Sequence, residues 1–416
     1  MKFLLRTYGC RANQYDSEAV RGMLLAAGAQ EVGEAEDADV AIFNSCSVTA
    51  AAEAELRKGV RRAARSNPSL RTVVMGCGPG LSARDERVTP LRTLPTVSDA
   101  VAGADLSLIA ATLGVRGTLL PSGGRAQTGA RALLRIQDGC DEHCTFCATT
   151  LARGSNRSRS VHEIVAEAEI LAESHPEIVL TGIHIGSYGA DTGSSLSLLV
   201  EALIRSVPVV RFRLSSLEAT EVDAVLLELM ADSARLAPYL HAPLQSGSDR
   251  VLKRMGRHWY TARTYEAAVE RIVDSRPVFG LGADVICGFP GETEEDHDQT
   301  RALIERLPFT SLHVFPYSGR PGAAAARLRG AVGSSDIARR CSELREVGVR
   351  KSARYKELRA QGSADVVAVS AEEGLTEDHL SVGISSARIR RRDRFTARLV
   401  LRDTALIAIA ADSLEA

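Results

Sequence analysis

The chain has 416 residues, 45% of them apolar, with 51 Lys and Arg against 52 Asp and Glu. That length suits two or three domains with sizeable cores, and the near-neutral balance says little about partners, which must be read from where charge is placed. Eight cysteines over such a length are too few for a disulfide scaffold; with the early charges Lys2 and Arg6, which exclude a signal peptide, and no apolar run near the roughly 20 residues of a membrane span, they predict a soluble, cytoplasmic protein that uses thiols for metal chemistry and has no membrane partner.

In the first third, three short apolar runs each lead to a cysteine: Phe3-Leu4-Leu5 to Cys10, Val40-Ala41-Ile42-Phe43 to Cys46, and Thr72-Val73-Val74-Met75 to Cys77. Helical patterns at Ser17–Ala27 and Thr49–Ser66 separate them. Strands alternating with helices predict a doubly wound parallel sheet, whose carboxyl strand ends share one edge where ligands bind. Cys10, Cys46 and Cys77 therefore converge on that edge as a three-thiol constellation; three unrelated buried thiols are the bland alternative. The neighbouring glycines, Gly9, Gly76 and Gly78, favour loops that a bulky ligand approaches closely. Arg57, Arg61 and Arg65 fall at i, i+4 spacing on the second helix, either a solvated face or a surface for RNA phosphates. Leu91 to Leu113 has room for one more strand and helix, and Pro121-Ser122-Gly123-Gly124-Arg125 reads as a linker.

From Arg131, apolar strands alternate with helices over about 220 residues, the size of a full or partial (β/α) barrel. Strands are expected at 132–137, 178–183, 211–217, 240–244, 282–287 and 311–315, and helices at 161–174, 195–207, 221–231, 265–274 and 294–307. After the first strand comes Cys140-x3-Cys144-x2-Cys147. Such spacing lets three thiolates close on one soft metal centre. A cubane held by three cysteines keeps one iron open to a ligand; the alternative is structural zinc completed by a remote ligand or by His143. Polar and small residues at the other strand ends (Gly182 with His184, Ser215 to Glu218, Gln245 to Gly247, Gly288 to Glu292) fit a ligand-lined barrel mouth.

The Cys140 motif, with Phe146 inside it, resembles the signature of radical S-adenosylmethionine enzymes. Gln137-Asp138-Gly139-Cys140, Arg153-Gly154, Thr7 to Glu18, Asn44 to Thr49, Leu244 to Ser248, Gly288 to Thr293 and Phe315 to Gly322 narrow the resemblance to the methylthiotransferases across nearly the whole chain. The resemblance implies two 4Fe–4S clusters. Cys140, Cys144 and Cys147 would hold the one that cleaves S-adenosylmethionine to a 5′-deoxyadenosyl radical, and Cys10, Cys46 and Cys77 an auxiliary one that carries sulfur. It also implies that S-adenosylmethionine lies near Phe146, Gly182, Glu218, Gln245, Val285 and Gly288. The expected partners are a tRNA anticodon loop and a reducing donor such as flavodoxin or ferredoxin. Asn13 to Glu18 looks most like the enzymes acting on N6-threonylcarbamoyladenosine at position 37; isopentenyladenosine or a ribosomal-protein aspartate are the other substrates of such enzymes. A non-catalytic zinc RNA-binding protein is the reading from another class. Cys287 and Cys341 match no family ligand and read as core. Two stretches beside the expected cluster ligands, Gly78-Pro79-Gly80 and Ala148-Thr149-Thr150, depart from the family pattern.

A basic helix is expected at 339–359, then short strands at 366–369, 379–384 and 395–401. These look like a small TRAM-like β-barrel, an RNA-binding module. Six arginines against one aspartate lie between Arg388 and Arg398; Arg390, Arg391 and Arg392 are its expected phosphate contacts. The organisation expected is 1–120 for the N-terminal domain, 121–130 for the linker, 131–360 for the barrel and 361–416 for the C-terminal domain.

Overall fold

A computed structural model describes residues 1–47, 50–82, 91–115, 127–386 and 388–410. The stretch 121–125 read as a linker lies outside the described residues, as do Val48 and Thr49. The N-terminal unit runs β1 (Lys2–Thr7), α1 (Arg11–Ala26), β2 (Gln30–Glu31), β3 (Val40–Ser45), α2 (Ala50–Ser66), β4 (Arg71–Gly76), α3 (Cys77–Ser82), β5 (Val97–Ala102) and α4 (Leu106–Leu113). Its strands pair in the order β2-β1-β3-β4-β5, all parallel. Every residue of β3 is buried, because a central parallel strand has helices on both faces. Two apolar layers result, Phe3, Leu24, Ile42 and Val73 on one face, and Leu4, Phe43, Leu56 and Val74 on the other.

The central unit runs β6 (Ala132–Arg135), β7 (Gln137–Asp138), α5 (Thr149–Arg153), β8 (Arg157–Ser158), α6 (Val161–Ala172), β9 (Glu177–Thr181), α7 (Leu196–Ser206), β10 (Arg211–Leu214), α8 (Ala224–Asp232), β11 (Tyr239–His241), α9 (Asp249–Arg254), α10 (Ala262–Val273), β12 (Gly280–Cys287), α11 (Glu294–Arg306), β13 (Ser311–Pro316) and α12 (Ser334–Arg359). Every strand and helix expected here is present, within a few residues at the ends. Six parallel strands form two three-stranded sheets, β6-β9-β10 and β11-β12-β13. Single bridges such as Ser216 to His241 join them, which makes an open, partial barrel. Helix starts are set by side-chain caps: Ser160 with Glu163 and Thr293 with Asp296 each close a capping box.

Period-two alternation sorts these strands. Ile178, Leu180, Phe212, Leu214, Leu240, Val285 and Val314 join the core under the helices. Glu177, Val179, Arg213, Tyr239, His241, Asp284, His313 and Phe315 stay outside that core and face the barrel's inner side. The C-terminal unit, β14 (Ser363–Ala368), β15 (Glu373–Thr376), β16 (Ser381–Ile384), β17 (Arg394–Arg402) and β18 (Ala405–Ala410), closes as a small barrel. Its strands β15 and β18 were not foreseen. It packs on the amino ends of the central strands: His379 stacks on Tyr239 with centroids 4.3 Å apart, and Arg213 donates to the Thr376 carbonyl at 3.0 Å. Beneath that contact Glu177, with no solvent exposure, accepts from Arg131, Arg211 and Arg213 at 3.2, 2.6 and 2.8 Å.

Candidate active site

Cys10, Cys46 and Cys77 follow β1, β3 and β4, three adjacent strands, so the sheet brings them to one edge. Cys46 and Cys77 are buried and Cys10 is exposed. Cys77 does not lie in an open loop as expected; it opens α3. Burial pushes its thiol up to about 11 against the neighbouring Arg153, with Cys10 and Cys46 close enough to add to the rise.

On the barrel side, each sulfur of the Cys140 motif receives a donor. The Glu142 amide reaches Cys140 Sγ at 3.4 Å, Arg257 Nη1 reaches Cys144 Sγ at 3.4 Å, and the Thr149 amide reaches Cys147 Sγ at 3.3 Å. His184 Nδ1 stands 3.9 Å from Cys140 Sγ, with its Nε2 2.7 Å from Glu221. Burial lowers that imidazole's proton affinity, but Cys140 and Glu221 carry it up to about 10. Burial likewise pushes the Cys144 thiol up to about 12 despite Arg257. A thiol so placed stays protonated at neutral pH unless a metal takes the proton's place. Donors aimed at all three sulfurs fit an anionic thiolate cluster, whose potential such hydrogen bonds tune. Among the described residues no three His, Cys, Asp or Glu side chains are grouped to hold one metal ion, and His143 is exposed.

The two sulfur sites abut. Helix α3 packs on α5, with Leu81, Ala148 and Leu151 in contact. A Cβ on Gly80 would meet the Ala152 carbonyl at 2.5 Å, so only glycine permits this approach. Both stretches that depart from the family pattern therefore meet at this junction. Across it reaches Arg153, whose side chain is 1% exposed. Its Nε donates to Cys77 Sγ at 3.2 Å, Nη1 to Asp138 at 3.0 Å, and Nη2 to Asn13 and Asp16, both at 2.7 Å.

A cavity of about 180 Å³ opens beside the Cys140 loop, lined by Phe146, Cys147, Gln245, Asp284, Phe315 and Tyr317 among others. Of the residues expected near the cosubstrate, Phe146 and Gln245 line it. Glu218 is buried and joined to Arg257 and the Trp259 indole, one step from Cys144. Gly182 lies against Gln137, next to His184. Val285 turns its side chain into the helical core and Gly288 lies against Ile337 of α12, while the neighbours Asp284 and Ile286 line the cavity. Arg257, Trp259 and Asp284 were not singled out, since single polar residues on loops and strands carry no spacing signal; Arg153 was, within Arg153-Gly154, but not its contact with Cys77.

Of the expected phosphate contacts, Arg391 and Arg392 donate to the Thr128 and Gln127 carbonyls respectively, docking the C-terminal barrel. Arg57 pairs with Glu53 at 2.9 Å, and Glu53 pairs in turn with Arg320 at 2.9 Å. Arg61 and Arg390 are exposed. Cys287 and Cys341 are both buried, in the core.

Residues 2–94 match the Uncharacterized protein family UPF0004, and residues 134–304 the Radical SAM superfamily. The chain is 32% identical to threonylcarbamoyladenosine tRNA methylthiotransferase MtaB of Aquifex aeolicus over 92% of this chain and 96% of that one. It is 34% identical to the MtaB of Bacillus subtilis over 89% and 85%. It is also 34% identical to tRNA-2-methylthio-N(6)-dimethylallyladenosine synthase of Jannaschia sp. over 82% and 78%. Among solved structures, the radical S-adenosylmethionine methyltransferase TsrM of Kitasatospora setae shares the fold, with TM-score 0.56 at 14% identity over 76% of this chain and 72% of that one. No helix among the described residues is long and apolar enough to cross a membrane.

Proposed function

The chain belongs to the radical S-adenosylmethionine methylthiotransferase family, and we propose that it inserts a methylthio group at carbon 2 of N6-threonylcarbamoyladenosine-37 in the tRNA anticodon loop. The observation that carries this is the seating of α3, which Cys77 opens, on α5, which follows Cys147, with Arg153 of α5 donating to Cys77 and to Asp138 ahead of Cys140; it supports a sulfur site set beside a radical source. When bound, an iron–sulfur cluster on Cys140, Cys144 and Cys147 with S-adenosylmethionine supplies the radical, and one on Cys10, Cys46 and Cys77 supplies the sulfur. Arg257 and the Thr149 amide hold the first set of sulfurs; Arg153 holds Cys77. Phe146 and Phe315, on the wall beside Cys147, give an unstacked loop base aromatic faces to lie on and exclude water.

The relatives carry two substrate names, so the choice of N6 group rests on the wall below that cavity. Ser216, just past β10, forms a polar row with His241, Asp284 and His313 of β11, β12 and β13. Ser216 Oγ is 2.8 Å from His241 Nδ1, and His241 Nε2 is 3.1 Å from Asp284. The His241 and His313 rings lie 5.7 Å apart, edge to face. A threonylcarbamoyl group offers polar atoms to such a row, whereas an alkyl group offers it none. Exposed Arg61 and Arg390 are then contacts for the tRNA backbone, and a flavodoxin- or ferredoxin-like protein is the electron donor.

Anaerobic reconstitution tests the reading: a brown protein with about eight irons, four per cubane, is expected. Cys144→Ala should abolish S-adenosylmethionine cleavage. Cys46→Ala should keep cleavage and lose methylthio product. Nucleosides from cells with and without the gene should differ in 2-methylthio-threonylcarbamoyladenosine. Colourless zinc protein, or methylthiolation of a ribosomal protein instead of tRNA, would refute it.

A further inference from the structure

Past β13 the chain runs Tyr317-Ser318-Gly319-Arg320 between two hollows. One is the cavity beside Cys147. The other is a cleft of about 420 Å³, edged by Pro290, Gly319, Arg320, Leu328 and Ala331. Tyr317 lines both, so its ring is a shared wall. That wall is fixed: the Tyr317 amide donates to the Cys287 carbonyl at 2.8 Å, and the ring meets Phe289 edge to face with centroids 5.3 Å apart. The hydroxyl lies toward the cleft. A Cβ on Gly319, which lines the cleft and not the cavity, would stand 3.8 Å from Tyr317 Oη.

Two side chains of this cleft hold enclosed polar atoms with no partner among the described residues, Tyr317 Oη and Arg320 Nε. The Arg320 side chain is 4% exposed, and its Nη2 donates to Glu53 at 2.9 Å. A buried donor left unpaired costs the full desolvation of that group, and such atoms are rare in folded proteins. Burial raises the Tyr317 hydroxyl above its ordinary range, which keeps it a donor, and a guanidinium can only donate. The other described residues lining the cleft are proline, glycine, alanine and leucine, so nothing there offers a side-chain acceptor. Charge points the same way. Glu53 is shared between Arg320 and Arg57, which leaves one positive charge over, and the exposed Arg327 and Arg329 flank Leu328 on the rim. Two donors, no acid on the wall and an excess of positive charge fit an anion rich in acceptor oxygens.

We propose that this cleft binds a backbone phosphate of the RNA strand beside the target nucleotide, with Tyr317 Oη and Arg320 as its donors. This rests on the methylthiotransferase reading above and deepens it by saying where the strand runs. A nucleotide with its base in the cavity leaves its phosphates at the mouth, and Tyr317 is the wall between that mouth and the cleft. The desolvation of both donors is already borne by the fold, so a phosphate that reaches them gains a charge-assisted bond at little further cost. Such a contact sets the register of the strand and reads no sequence.

The experiment uses the reconstituted full chain and threonylcarbamoyladenosine anticodon stem-loops in which one linkage at a time, on either side of the target nucleotide, is a neutral methylphosphonate. Binding is read by anisotropy. The parent protein should lose about tenfold for one of these linkages. Tyr317→Phe should bind the all-phosphate stem-loop about fivefold more weakly and lose no more than about twofold for that linkage. Its apoprotein should melt no lower than the parent, because the hydroxyl removed had no partner; a merely structural hydroxyl would move the midpoint and leave the linkage effect intact. Arg320→Lys, which keeps a charge for Glu53 and removes Nε, should blunt the same linkage effect. A parent protein indifferent to every neutral linkage overturns the proposal, and so does a Tyr317→Phe protein with parental affinity and linkage effect. Inorganic phosphate that displaces the stem-loop far better than chloride at equal ionic strength makes this a free-anion site and overturns the RNA assignment. Failure of the all-phosphate stem-loop to bind the parent protein overturns the tRNA reading itself, and this proposal with it.

Discussion

Replacing Arg153 by Met tests how strongly the two sulfur sites are locked together. The change removes a guanidinium that is 1% exposed and leaves Asp16, itself without exposure, with one partner fewer. Removing one member of a buried pair costs about 3–5 kcal/mol. Here Arg135 still holds Asp16 Oδ1 at 2.5 Å and stands 3.6 Å from Asp138, so the low end, about 3 kcal/mol, is expected. At roughly 2–4 °C per kcal/mol for units of this size, the midpoint should fall by about 6–12 °C. The measurement belongs on apoprotein, because bound cofactor stabilises by mass action. A double-mutant cycle with Asp16→Asn isolates the contact, with a coupling of about 1.5–2 kcal/mol expected. A coupling below about 0.5 kcal/mol, that of an exposed ion pair, would refute the claim that Arg153 clamps the junction.

His379 predicts a pH effect. Burial, with Arg213, Arg131 and Arg11 nearby, lowers its imidazole to about 3, so the native ring stays neutral while the unfolded chain takes up a proton below about 6.5. Stability from this group is complete above about pH 6.5 and falls by up to about 1.4 kcal/mol per unit toward pH 3; urea midpoints should show a shallower acid slope for His379→Asn, and an unchanged slope would contradict it. Glu177→Gln leaves Arg131, Arg211 and Arg213 without their shared anion and should destabilise the apoprotein by about 3 kcal/mol or more in a denaturant titration. Gly80→Ala, which sets a methyl against the Ala152 carbonyl, should cost about 1–3 kcal/mol by the same assay, and a neutral result would mean that α3 and α5 are free to separate.

Much of the architecture was legible because it rests on long periodic signals. Alternating apolar runs and amphipathic helices predicted the parallel sheet and the barrel, and every expected strand of the barrel is found. What escaped were elements too short for periodicity, α5 and α9, and strands β15 and β18 of a small barrel that closes only through tertiary pairing. The thiol positions were legible for a geometric reason: parallel strands deliver their carboxyl ends to one edge whatever the loop sequences. The contacts of Arg153 and Arg257 with cysteines were not, because each reaches across more than 70 residues of sequence. Which residues of the strand at Val285 face the cavity was not legible either, since one position along a strand reverses the face: Val285 joins the core and Asp284 the cavity wall. Arg391 and Arg392 show the matching risk on the surface, where a run of arginines reads as a phosphate site while two of its members bind backbone carbonyls.

The close seating of α3 on α5 bears on how the sulfur site is refilled between turnovers. Among the described residues, its backbone-to-carbonyl contact at Gly80 and the four polar links of Arg153 tie the N-terminal sheet to the barrel. On the proposed reading, replenishment happens in place. It comes through the one thiol of that triad left open to solution, Cys10, and from a donor small enough to diffuse in. Turnover should then be sustained by dissolved sulfide or a small persulfide alone, and a strict need for a protein carrier would count against it.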